Sequence, residues 1–204
     1  MQMKRAVGWG GAMIMGLLGV APGAQAQVAW DSPMLLAPGS PGGWGIHLME
    51  PSPGDGIGVM GTFRSNPAPV GYGFRIGLAE DPGDDLAVFG GLDASGHLLL
   101  PTAERPFGVL WLLGAGVGVG DDVVLSLPAG ISVGADIDAD GVLFRPYVSP
   151  RVVLDAAFGT ADDLDLDLAV DLGVDLAFTP AWSIRFGATL GDREALSIGL
   201  NLPR

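Results

Sequence analysis

The chain has 204 residues, with 10 Lys plus Arg against 23 Asp plus Glu and a formal charge of −13. It contains 34 Gly, 16 Pro and no Cys, which excludes disulfide scaffolds, thiolate metal centres and cysteine nucleophiles. The acidic balance excludes the basic surface needed to neutralise phosphates, so no nucleic-acid partner is expected, and 49% hydrophobic residues exclude an acidic disordered chain.

Residues 1–26 open with Lys4 and Arg5, continue through a Gly-rich apolar stretch and end Ala24-Gln25-Ala26. That order reads as a secretory signal peptide, and its apolar part is too short for a permanent transmembrane helix. Its removal leaves 178 residues in which 8 Arg stand against 23 acids, a charge of −15. The mature chain is therefore expected in the cell envelope or outside. Residues 27–42 follow as a Pro/Gly-rich lead with Trp30, Pro33, Pro38 and Pro41 and no clear period. They read as a linker or as an insert in a lumen.

From residue 43 onward, apolar residues recur at period two between turn signals, the pattern of half-buried strands. The ten predicted strands lie at 44–48, 57–63, 70–78, 85–93, 109–119, 123–133, 142–154, 164–178, 182–190 and 196–202. The fourth is apolar on both faces and so is less clearly patterned. A short apolar piece at 98–100 lies in the one long gap. Turns such as Asp81-Pro82-Gly83-Asp84 and Asp138-Ala139-Asp140-Gly141 are too short for parallel crossovers, which need about a dozen residues. The expected fold is all-β: an antiparallel up-and-down meander closed into a barrel of about ten strands, within a range of roughly eight to twelve.

Alternation alone does not say which face is inside. One face is bulky, as in the run Leu164, Leu166, Leu168, Val170, Leu172, Val174 and Leu176. The other carries Gly43, Gly45, Gly71, Gly73, Gly77, Gly114, Gly116, Gly118, Gly130, Gly134, Gly173, Gly187 and Gly199. Glycine weakens a solvent-facing strand but suits the cramped interior of a narrow barrel. The bulky face then turns outward, toward lipid. Aromatics near strand ends (Trp44, Phe63, Tyr72, Phe107, Phe158, Phe178 and Trp182) fit an interfacial girdle.

The small face also carries charge. Asp163, Asp165, Asp167, Asp171 and Asp175 lie opposite the Leu run, and Arg64, Arg75, Arg145, Arg151 and Arg185 lie on the corresponding face of other strands. Unpaired charges in a tight lumen cost several kcal/mol, so these groups are expected to form a paired network. Such a network either plugs the barrel or lines a narrow cation-preferring pore. Plugging is the stronger expectation, because open channels come from about 16 strands.

Asp136, Asp138 and Asp140, followed by Gly141, match the start of an acidic calcium loop, with Tyr147 where the twelfth-position Glu belongs. Calcium is the one cofactor the sequence suggests, against the plainer reading of a hairpin turn with acidic ends. His47 and His97 are the only general bases near neutral pH and neither neighbours a nucleophile motif, so no enzyme is expected.

A signal peptide, ten alternating strands, glycines on one face and aromatics at strand ends together resemble the small outer-membrane β-barrel proteins of Gram-negative-type bacteria. The resemblance spans residues 43–202. It implies a monomeric transmembrane barrel, structural or weakly conducting, with outer-membrane lipids and the barrel-assembly machinery as partners. Members typically end in a strand with a terminal aromatic, whereas here the last strand runs into Pro203 and Arg204. The contrasting expectation is a secreted or periplasmic soluble barrel binding an apolar small molecule inside its Leu/Val face.

Overall fold

The computed structural model describes residues 30–51, 56–67, 69–80, 86–120, 122–159 and 163–204. The signal-peptide segment lies outside the described residues. The strands are β1 (Gly43–Glu50), β2 (Gly58–Arg64), β3 (Gly71–Glu80), β4 (Leu86–Leu99), β5 (Phe107–Val119), β6 (Val123–Ala135), β7 (Ile137–Ala139), β8 (Val142–Phe158), β9 (Asp163–Thr179), β10 (Trp182–Gly191) and β11 (Ala195–Pro203). Each pairs antiparallel with its neighbour in sequence, except that β6 pairs with β8. The β1–β11 ladder, from Gly43↔Pro203 to Glu50↔Leu196, closes the ring. The result is a ten-stranded antiparallel barrel with one extra short strand. Following the register once around the ring returns to β1 displaced by about a dozen residues, the stagger that tilts strands in a closed barrel.

Two details differ from the sequence reading. The apolar piece at 98–100 is not separate: β4 runs through to Leu99 across an irregularity between His97 and Leu99. The strand β7 continues β6 in the same register against β8, with Gly134↔Tyr147 followed by Ile137↔Phe144. The break falls opposite Pro146, which has no amide hydrogen to give the ladder. A second proline, Pro150, interrupts the β6–β8 pairing at Ile131 and Ser132, and there the Ser149 hydroxyl donates to the Ile131 carbonyl at 3.0 Å.

Asp140 and Gly141 link β7 to β8 as a two-residue hairpin, with φ of 52° and 86°. Positive φ at both central positions is the turn whose twist matches the flanking strands, and Asp-Gly suits it. Gly141→Val should cost about 1–2 kcal/mol at this left-handed position. We expect amide exchange to accelerate in β7 while the global unfolding midpoint barely moves.

The bulky face is outside. Leu166 and Leu168 are 61% and 62% exposed, and large apolar residues from every barrel strand share this orientation. The small face lines the lumen, which holds the core. Its packed groups are Trp30, Leu35, Met49, Met60, Ala79, Ala87 and Phe89, and beside them Met34, Leu36, Leu110 and Leu112. Ala87 and Phe89 explain why the fourth strand is apolar on both faces: one face meets the exterior and the other meets Met49 and Met60.

Candidate functional site

The site is the lumen. Its centre is occupied by the chain itself, because residues 30–38 are all buried inside the ring. Trp30 lies against Gly91, Gly114 and Gly116, where an added Cβ would collide with the indole, and its Nε1 donates to the Ser126 carbonyl at 3.3 Å. Pro38 reaches Gly108 and Gly134 near the rim where β1 begins. Between these points the segment makes no ladder with the wall among the described residues, so its buried carbonyls need other donors. The wall supplies them in succession. Arg75 donates to the Pro33 and Met34 carbonyls at 2.8 and 2.7 Å, Arg185 to that of Leu35 at 2.9 Å, and the Ser132 hydroxyl to that of Leu36.

An ionic latch holds the far end of the segment. Asp31 is fully buried and pairs with Arg151 and with Arg193, the latter at 2.6 Å. Arg151 also grips Asp171 through Nε at 2.9 Å and Nη2 at 3.2 Å, and donates to the Ser32 hydroxyl. Thr189 donates to Asp171 at 2.7 Å. Arg193, in the β10–β11 turn, extends the cluster to Asp155 and Asp167. Burial pulls the Arg193 guanidinium below its ordinary value and Asp31 pulls it back up; arginine stays charged under either influence.

Near the opposite rim, Arg185 meets Asp175 at 2.9 Å and the Ser40 hydroxyl at 2.7 Å, while Ser40 donates to Asp175. Arg145 sits 3.6 Å from Asp175 and 3.5 Å from Asp136. A third group is self-contained: Arg64 forks onto Asp93 at 2.6 and 3.0 Å. Arg75 lies 5.6 Å over the Trp30 ring and has no carboxylate at ion-pair distance among the described residues.

Of the charges the sequence singled out, the lumen brings together Arg64, Arg75, Arg145, Arg151, Arg185, Asp167, Asp171 and Asp175. Asp163 and Asp165 stay exposed where β9 runs past the end of β10, and they accept from the amides of Leu164 and Leu166. Sequence reasoning missed Asp31, Asp93, Asp155 and Arg193. Asp93 and Asp155 occupy the small-face phase of β4 and β8, so their positions carried the signal. Asp31 and Arg193 lie outside any strand, where alternation is silent.

The acidic run does not converge. Asp138 lies in a strand, Asp140 forms the hairpin turn and Asp136 faces Arg145. Among the described residues no group of three or more His, Asp or Glu is placed to hold a metal ion. His47 is buried in the lumen wall with Nε2 3.4 Å from the Thr62 hydroxyl. Beside the buried segment, a cavity of about 30 Å³ lies among Met34, Leu35, Ser40, Arg75 and Arg185. That is room for about one water.

No family model matches the chain, and no curated protein sequence matches it. Among solved structures it is similar to a bacterial polysaccharide outer membrane secretin, with a TM-score of 0.44 and 8% identity over 79% of this chain. The chain spans 65% of that chain's length.

Proposed function

We propose that the protein is a non-enzymatic outer-membrane β-barrel, sealed by its own N-terminal segment and acting as a structural element of the envelope. One observation carries this reading: the uninterrupted outward band of large apolar residues, including Ile46, Leu48, Ile76, Leu92, Leu113, Leu166, Leu172, Ile198 and Leu200. Soluble monomers rarely expose more than a few hundred Å² of contiguous apolar surface, whereas a lipid-facing barrel requires such a belt.

Aromatic packing near one rim supports it. Girdle positions are filled by Trp44, whose ring lies 4.8 Å from Phe63 and 5.6 Å from Phe74, and by Phe178 stacked 5.2 Å from Trp182. The alternative, a soluble carrier of an apolar molecule, calls for the Leu/Val face inside, where this barrel holds arginines, aspartates and residues 30–38.

The test is detergent dependence. The chain from residue 27 is expected to refold as a monodisperse species in detergent or lipid and to aggregate without either; a stable monomer in plain buffer would sink the membrane reading. A second measurement separates the environments energetically. Ile198→Arg on the outer face should cost about 2–4 kcal/mol of folding free energy in bilayers if that position meets hydrocarbon. On a water-exposed surface the same change should fall within about 0.5 kcal/mol.

A further inference from the structure

Building on the sealed membrane barrel proposed above, we infer that the wall encloses a latent conduit for small anions, with residues 30–38 as its displaceable stopper. The segment is held as a ligand is held. Four consecutive carbonyls, from Pro33 to Leu36, meet side-chain donors of the wall, Asp31 meets two arginines, and Trp30 fills a slot floored by glycines. None of these contacts belongs to a barrel ladder, so removing the segment breaks no strand pairing.

The segment also occupies the path a solute would take. Asp31 touches the β10–β11 turn at one rim through Arg193, and Pro38 lies against Gly108 and Gly134 toward the other. A passage that holds a polypeptide segment carrying an indole has the width for a small hydrated anion once the polypeptide is gone.

Charge decides the sign. At mid-lumen, Arg75, Arg151 and Arg185 face Asp171 and Asp175 from the wall and Arg64 is matched by Asp93, while toward the rims Arg145 also meets Asp136 and Arg193 meets Asp155 and Asp167. The stopper supplies the balance through Asp31 and its carbonyls. Without it, Arg75 loses both carbonyl partners and Arg151 loses one of its two carboxylates. The exposed Asp163 and Asp165 act through water and salt, which screen them beyond about 8–10 Å, whereas the arginine band lies in the narrow interior.

The experiment uses the full chain with a protease site inserted after Gly39, which is exposed. The protein is folded intact into planar bilayers under a potassium chloride gradient, then cut, and release of the N-terminal fragment is followed by mass spectrometry. The intact barrel is expected to be silent. After release, discrete conductance with a reversal potential on the chloride side is expected, and Arg75→Gln in the emptied barrel should shift that potential toward zero. A chain lacking residues 30–38 should behave as the emptied barrel does, and the cut version carries the test if that chain does not fold. An emptied barrel that is silent or potassium-selective overturns the inference, as does a fragment retained under every condition that leaves the barrel folded. Failure of the membrane reading looks different: the intact chain then does not insert at all.

Discussion

Asp31→Ala is expected to lower the unfolding free energy by about 3–5 kcal/mol, because it strands buried positive charge inside the barrel. Arg151 keeps Asp171, and Arg193 keeps Asp155 and Asp167, so the loss should sit toward the lower end of that range. The conservative change Asp31→Asn retains one hydrogen-bond acceptor and should cost less. Urea unfolding in lipid vesicles, read by tryptophan fluorescence, gives both values. Losses below about 1 kcal/mol are typical of exposed ion pairs and would place Asp31 in solvent, outside the latch.

The second large effect concerns the indole. Trp30→Ala should cost about 3–5 kcal/mol, the usual range for deleting a large buried aromatic. Gly91→Ala should also destabilise, by about 1–3 kcal/mol, because the new methyl group collides with the Trp30 ring. The two changes are coupled through one contact. In the Trp30→Ala background the Gly91→Ala cost should largely disappear, since the space it needs has been vacated. Strict additivity in this double-mutant cycle would show that Trp30 does not pack on β4.

Trp30 also marks what was legible in the sequence. Glycines at Gly114 and Gly116 are informative as small residues on an inward face, yet the object they make room for lies outside every periodic segment. The same limit applies to charge. Arg151 and Asp171 share a strand-face phase, so both were readable as lumen groups, and the structure joins them at 2.9 Å. Their partner Asp31 sits in a Pro-rich lead where spacing says nothing about direction. Asp163 and Asp165 failed in the opposite way. They have the right phase, but β9 extends beyond the end of β10, and phase does not report where a rim lies.

The sequence by itself determined the all-β class, the antiparallel meander and the division of each strand into a bulky and a small face, because side chains alternate strictly along an extended chain. Turn chemistry such as Asp140-Gly141 was equally local. Only the tertiary structure decided the closing β1–β11 pair, the joining of β6 and β7 into one interrupted strand, and the placement of residues 30–38 in the lumen. These depend on ring stagger and on contacts between residues as far apart as Asp31 and Arg193, which no local period encodes. The arginines show the difference most directly: their phase made them lumen residues, but whether they lined a pore or gripped a peptide depended on what lay between them.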